Sequence, residues 1–329
     1  MLAVGEDGAG KTNLLEALHV GTQGFSPRSR NDAQLVRFGA EAARIELTGE
    51  RGGRTLEIEV TLRPGDAKRA ALNGAPLRAA EQLRAEVETL VFTPDRLVVV
   101  KGGPAARRAY FDRVLGRLLP ARAGAPAEYG AAVAQRNAAL RRVMVGASSR
   151  DAVAPWTQRV AELGVALVAA RHEAIAALVP PFAERAAELG LPAAELQYDA
   201  EAPTSDALEA RLDADLERGT TGLGPHLDDV GIVAGGRDLR RYGSQGEQRL
   251  VVLSLLLAEA ELLTERGPAA PLLLLDDVLS ELDERRRRAL AERLSGRGQT
   301  LITATTADAL PGEPAQLLEV TPGEVTWSA

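Results

Sequence analysis

Cysteine is absent, which excludes disulfides and thiolate metal sites. Histidine occurs only at His19, His172 and His226, too scattered for a zinc cluster, so any metal is expected on oxygen ligands. Lysine is restricted to Lys11, Lys68 and Lys101. Arginine carries nearly all the positive charge, and with the many alanines this reads as composition bias rather than function. Long apolar runs are also missing: Pro271 to Leu275 falls far short of the ~20 residues of a membrane span. A glycine-rich loop follows the first residues almost at once, which does not suit a signal peptide, so the expected location is cytoplasmic with no membrane partner. The net charge of −7 excludes a surface that is basic all over, and any nucleic-acid contact must then be local. What remains is a chain of 329 residues, 45% apolar, long enough for a substantial core in about two domains.

The first strong signal is Gly5-Glu6-Asp7-Gly8-Ala9-Gly10-Lys11-Thr12, which fits G-x-x-x-x-G-K-[ST] between a short apolar stretch, Leu2 to Val4, and a helix-like run from Asn13. From Gly5 to Asn13 the backbone N–H groups are expected to wrap phosphates at a helix N-terminus. Lys11 would reach the β- and γ-phosphates of ATP, and Thr12 would offer its hydroxyl to Mg²⁺. One of only three lysines standing at the required position argues against an accidental glycine-rich turn.

Alternation over Ala43 to Leu62 around Gly52-Gly53 predicts an antiparallel hairpin. Asn73-Gly74 predicts a type I′ turn in a second short pair, with Thr89 to Thr93 as a further strand. Pro104 suits the first turn of a helix, which places Arg107 and Arg108 near its start. Either they face phosphate or they belong to a solvated face. From about Leu115 to Leu189 apolar residues recur at helical spacing, with breaks expected at Pro120 to Pro126, near Gly146, and at Pro180-Pro181. This predicts a helical insertion without a catalytic constellation. Gln135-Arg136-Asn137 within it reads as helix packing. A strand over Glu195 to Asp199 and a helix over Ser205 to Arg218 follow.

Three signals then come in sequence. Ser244 and Gly246 stand at the start of an apolar helix, Leu250 to Leu263, where free N–H groups suit a γ-phosphate, and Glu247 joins them in the candidate nucleotide set. Leu272 to Leu275 is an apolar run ending in Asp276-Asp277, as in a parallel strand buried on both faces with carboxylates at the ligand edge. Asp276 would position Mg²⁺, directly or through water, and Asp277 would polarise the attacking water or accept its proton, with Lys11 as the other catalytic candidate. Third, Ser280-Glu281-Leu282-Asp283 precedes a further strand, Thr300 to Thr306. This order of motifs resembles an α/β ABC-type P-loop ATPase head with an inserted helical arm, with the head over 1–115 and 200–329 and the arm over 116–199.

The chain further resembles the RecF family of bacterial ATPases related to SMC heads. The resemblance is carried by residues 5–17, Thr93-Pro94-Asp95, Gly102-Gly103-Pro104, Arg107 to Asp112, Gln135 to Ala138, Gly224 to Asp229, Tyr242 to Arg249 and Leu273 to Asp283. It implies that Ser244 completes the partner subunit's ATP site and that Asp283 lies at the dimer seam. It also implies ATP-dependent homodimerisation, slow DNA-stimulated ATP hydrolysis and binding at gapped or single/double-strand DNA junctions. Work with RecO and RecR in loading RecA would follow, in DNA repair, replication, recombination and the SOS response. Three departures stand out. The chain starts four residues before the loop, where the family has a strand pair first, so either the start codon is misassigned or the adenine side of the pocket is incomplete. Asp7 replaces the usual Asn and is expected to weaken nucleotide affinity. Leu227 stands where a basic residue is common, which removes a candidate DNA or phosphate contact. Two other readings remain at this point: a transporter nucleotide-binding subunit, against which the Asp276-Asp277 pair and the Ser244-Gln-Gly-Glu-Gln form speak, and a nucleotide-gated DNA scaffold that hydrolyses nothing.

Overall fold

The computed structural model describes residues 1–29 and 31–328. In chain order the first elements are β1 (Leu2–Val4), α1 (Lys11–Gln23), β2 (Ala43–Arg51), β3 (Arg54–Leu62), β4 (Arg69–Leu72), β5 (Ala75–Pro76) and β6 (Thr89–Phe92). There follow α2 (Val98–Lys101), α3 (Pro104–Leu118), α4 (Ala125–Met144), α5 (Ala154–Glu188), β7 (Ala194–Gln197), α6 (Ser205–Ala210) and α7 (Leu212–Arg218). The last are β8 (Gly231–Ala234), β9 (Arg237–Asp238), α8 (Leu239–Tyr242), α9 (Gln245–Arg266), β10 (Leu272–Leu275), α10 (Glu284–Leu294), β11 (Thr300–Ala304), β12 (Leu317–Thr321) and β13 (Glu324–Ser328).

The chain divides into two compact units: Met1–Arg96, Glu188–Gly190 and Val252–Ala329 in one, Leu97–Ala187 and Leu191–Val251 in the other. The first holds a six-stranded sheet of order β13-β12-β1-β11-β10-β6. It is parallel except for the β12–β13 hairpin. Thr89–Phe92 therefore does not join the short pair at Asn73-Gly74. It runs parallel to β10 instead, as the edge strand of that sheet, with Leu272 opposite Thr89, and all four of its residues are buried, so both of its faces are covered. The predicted hairpin forms as β2 and β3 in an antiparallel sheet of order β2-β3-β4-β5. Asn73 and Gly74 have φ of 48° and 77°, the two positive values that a type I′ turn needs.

Helix α1 serves both sheets. Leu15 joins Ala3, Val91, Leu274, Leu301 and Leu318 in the core of the parallel sheet, while Val20 packs with Ile58, Val60 and Leu62 of the antiparallel one. Gly21 allows the close approach, since a Cβ there would sit 2.4 Å from Leu47 Cδ1. One short strand and one helix thus anchor the loop between them to two sheets.

The second unit is built on α3, α4 and α5 and a small antiparallel sheet, β7-β8-β9. Leu115, Tyr129, Ala132, Val160, Leu167 and Leu208 form its core. Because α3 buries Leu115 in that core, the boundary between the units lies at Leu97 rather than near residue 115. The stretch 200–251 sits with the helices, not with the head, held there by β7–β8 pairing and by buried polar bonds. Helix α5 runs through Pro180 and Pro181 instead of breaking. Leu178 and Phe182 on either side are fully buried, and that packing holds the helix despite two lost backbone bonds. By length and composition α5 could cross a membrane. Here its apolar face fills the core, and its Arg171 is buried in a two-bond pair with Asp112 at 2.8 and 3.0 Å. The predicted helix over Ser205 to Arg218 is two, parted at Arg211.

Arg136 is the polar centre of this unit. It is 0% exposed and donates to Asp215 Oδ2 at 2.6 Å and to the hydroxyls of Thr157 and Thr221, both at 3.0 Å. Asn137 accepts from the Thr221 backbone N–H and hydroxyl, each at 2.7 Å, so this polar cluster packs helices, as the sequence suggests. Arg136→Met leaves Asp215 charged and unpaired in the interior and is expected to cost about 3–5 kcal/mol. Arg136→Met with Asp215→Leu is expected to recover most of that loss. Denaturant unfolding followed by circular dichroism measures both; a single mutant unfolding at the wild-type midpoint contradicts the assignment.

Candidate nucleotide site

The loop between β1 and α1 is shaped by its glycines. A Cβ on Gly5 would lie 2.3 Å from the Val320 carbonyl oxygen of β12, so only glycine passes there. Gly8 and Gly10 have φ of 83° and 109°, values unfavourable to any other residue. Ala9 is buried with Leu15 and anchors the loop to the core. At the start of α1, Gly10 caps without a side chain and the first turn carries no acidic residue, so the helix end is open to an anion. Lys11 Nζ donates to the carbonyls of Gly5 at 2.7 Å and Glu6 at 2.9 Å, bridging the loop. The exposed Asp7 carboxylate lies 3.9 Å from that ammonium. It is thus near the loop's ammonium group but turned to solvent.

Across the loop, β10 delivers its two carboxylates into different surroundings. Asp276 is 6% exposed, and its Oδ1 accepts from Thr12 Oγ1 at 3.1 Å and from Thr303 Oγ1 at 2.8 Å. Asp277 is exposed and has φ of 49°, left-handed backbone that a non-glycine residue rarely takes. Its N–H donates to Thr303 Oγ1 at 2.9 Å, and its Oδ2 accepts from Ser280 Oγ at 3.0 Å. Lys11, Thr12, Asn13, Asp276 and Asp277 line one cleft of about 420 Å³.

Among the described residues no group of three or more His, Cys, Asp and Glu could hold a metal by itself. Thr12 and Asp276 nevertheless suit Mg²⁺, which binds through one or two protein oxygens plus phosphates and water. Adjacent ligands at its usual bond length lie about 2.9 Å apart, and these two oxygens are 3.1 Å apart.

Arg28, Thr303 and Thr305 line the same cleft without any sequence signal that assigns them to it, as does Asp95 of the Thr93-Pro94-Asp95 block. Arg28 sits in irregular chain after α1, its turn set by Ser26 Oγ accepting from the N–H groups of Arg28 and Ser29. No motif marks it. Thr303 reads from sequence only as one β-branched residue in a strand.

The Ser244 segment belongs to the second unit. Ser244 Oγ accepts from the Glu247 N–H at 3.2 Å, and Glu247 Oε2 accepts from the Ser244 N–H at 2.7 Å, a capping box. That backbone bond holds the Glu247 carboxyl below its usual range, with the Ser244 hydroxyl and Arg237 adding to the effect. Glu247 therefore shapes the helix start. Ser244, Gln245 and Gly246 remain exposed. Gln248 is buried beneath them and donates to the Leu239 and Gly243 carbonyls at 2.9 and 3.2 Å. In the first unit, Asp283 caps α10, accepting from Arg286 N–H at 2.9 Å.

The structure removes Arg107 as a phosphate contact and leaves Arg108 half-buried. Arg107 is buried and makes two 2.6 Å bonds to Asp229, while Arg108 donates to the Asp228 carbonyl at 2.5 Å. The Gly224 to Asp229 block is a clasp. His226 lies between the Tyr129 hydroxyl at 2.8 Å and the Thr221 carbonyl at 2.9 Å, and burial keeps its ring pKa below the usual value. Leu227 is 56% exposed and presents no charge.

The family described as RecF/RecN/SMC N terminal domain matches residues 1–326. The chain is 36% identical over 324 residues to the DNA replication and repair protein RecF of Heliobacterium modesticaldum, covering 94% of this chain and 87% of that one. It is 37% identical over 358 residues to RecF of Kineococcus radiotolerans, covering 97% and 91%. A solved structure of the recombination mediator protein RecF-ATPrS in the RecFOR pathway aligns with a TM-score of 0.85 at 27% identity, over 100% of this chain and 91% of that one. An Smc head domain from Pyrococcus furiosus, bound to the C-terminal domain of ScpA, shares the fold with a TM-score of 0.60 at 16% identity, over 100% and 89%. The α/β head is thus common to RecF and SMC heads, and the match along nearly the whole sequence places this chain in the RecF family.

Proposed function

We propose that the chain is an ATP-driven recombination mediator that binds MgATP, dimerises on it, hydrolyses it slowly under stimulation by DNA, and with RecO and RecR promotes RecA loading at gapped DNA. One observation carries the ATPase part: Thr12, Asp276 and Asp277 converge on the cleft that the glycine loop and Lys11 enclose. The named relatives and the nucleotide-bearing RecF structure support the pathway and the ligand.

In this reading the loop N–H groups and the start of α1 hold the phosphates. Lys11 exchanges its bonds to the Gly5 and Glu6 carbonyls for phosphate oxygens. Thr12 and Asp276 hold Mg²⁺, which when bound neutralises charge on the phosphates, and Asp277 orients water for in-line attack. Arg28 is the second cation at the cleft and supports charge on the transferred phosphoryl group. Ser244 and Gly246 are exposed at a capped helix start and complete the site of a second copy. Asp283 would lie at that seam. With Arg107 committed internally and a net charge of −7, DNA is held by few cations, so the salt dependence of its binding is expected to be shallow, about one unit of log slope per phosphate contact.

Asp277→Asn keeps size but removes charge. It is expected to leave ATP binding intact, slow hydrolysis by about 10²-fold or more, and accumulate ATP-bound dimers. Single-turnover phosphate release checks this, and wild-type turnover in the mutant removes Asp277 from the mechanism. The shared site is tested by mixing. Lys11→Ala disables the loop of its own subunit, and Ser244→Arg the site of the partner, so each homodimer is expected to be inactive. In a mixed dimer both lesions fall in one site, and activity is expected to return to at most about half per dimer, less if the sites are cooperative. A Ser244→Arg protein that dimerises on ATP like wild type, as seen by sedimentation, contradicts the shared site.

A further inference from the structure

Thr303 is fully buried in β11 between apolar neighbours, Ile302 and Ala304. A hydroxyl in such a place is unfavourable unless both of its hydrogen-bonding functions are used. Here both are. Thr303 Oγ1 donates to Asp276 Oδ1 at 2.8 Å and accepts from the Asp277 N–H at 2.9 Å. Since Asp276 Oδ1 also accepts from Thr12 Oγ1 at 3.1 Å, an unbroken run of hydrogen bonds connects Asp277, Thr303, Asp276 and the phosphate loop. Members of such a run polarise one another. Asp277 itself is held in left-handed backbone, φ 49°, a conformation that persists only where its surroundings impose it. The bond to Thr303 fixes its backbone, and Ser280 fixes its carboxylate at 3.0 Å.

We propose that Thr303 is a positioning residue of the ATPase site: its single hydroxyl sets the metal-holding carboxylate of Asp276 and the water-orienting Asp277 relative to each other. This rests on the roles given to Asp276 and Asp277 above. Nucleotide affinity comes mainly from the loop and Lys11, so losing the hydroxyl affects hydrolysis and Mg²⁺ dependence far more than ATP binding. Groups that orient ligands from behind in this way typically change metal affinity or activity about 10- to 100-fold.

The test is Thr303→Val, which keeps shape and β-branching, beside Thr303→Ser, which keeps the hydroxyl. Four quantities are read on the full chain: the dissociation constant of a fluorescent ATP analogue, the Mg²⁺ concentration for half-maximal turnover, kcat, and hydrogen exchange at the Asp277 amide. Thr303→Val is expected to lower kcat about 10-fold or more and raise the Mg²⁺ requirement, to alter analogue binding less than about 3-fold, and to speed exchange at Asp277. Thr303→Ser is expected to restore all four. Should Val unfold the strand, Thr303→Cys against Thr303→Ser makes the same comparison, because a thiol is a weak donor and acceptor. Wild-type kcat and Mg²⁺ dependence in a folded Val or Cys variant overturn the proposal, as does equal loss of binding and turnover, which marks a purely structural role. Asp277→Asn in parallel separates the failures: if it too turns over normally, the underlying site reading is at fault rather than Thr303.

Discussion

The Thr12 hydroxyl, on the first turn of α1, meets the buried carboxylate of Asp276, at the end of β10, at 3.1 Å. The two residues are 264 positions apart in the chain, so this contact exists only if β1, β10 and β11 are adjacent and in register. The sheet order that places β11 between β1 and β10 achieves that, and the buried leucines of β10 hold it. Much else in the first unit serves this meeting. Gly5 lets the loop pass Val320, Ala9 fastens it to the core, and Gly21 seats the antiparallel sheet on the far side of α1.

The second unit follows a different rule. Buried arginines join two pairs of helices, Arg136 with Asp215 and Arg171 with Asp112, and tie α3 to the segment before β8 through Arg107 and Asp229. Such pairs add little net stability over apolar packing, but they penalise any misaligned arrangement because a lone buried charge is costly. The exposed Ser244 turn is held from below by Gln248 and from within by the Ser244–Glu247 box.

The parts of the site with fixed local chemistry could be read in the sequence. The glycine loop and the carboxylates after Leu272–Leu275 each combine a residue type with a local position, and both line the one cleft. The hairpin β2–β3 and the turn at Asn73-Gly74 follow from alternation and from left-handed backbone. What escaped depends on distant partners. Arg107 reads as a free cation because Asp229 lies 122 residues away, and Thr303 reads as strand filler because its value lies in Asp276 and Asp277. Pro180-Pro181 reads as a break because packing by Leu178 and Phe182 is invisible to local rules. Thr89–Phe92 carries no mark of which sheet it joins.

Converging Thr12, Asp276 and Asp277 are proposed to form a working Mg²⁺-dependent ATPase site. Single-turnover hydrolysis of γ-labelled ATP by the wild-type chain, with Mg²⁺ and with the metal chelated, tests it most directly. Phosphate release that requires Mg²⁺ and rises with gapped DNA is the expected result. Tight ATP binding without any phosphate release, with or without DNA, would contradict it and leave a nucleotide-gated scaffold in its place.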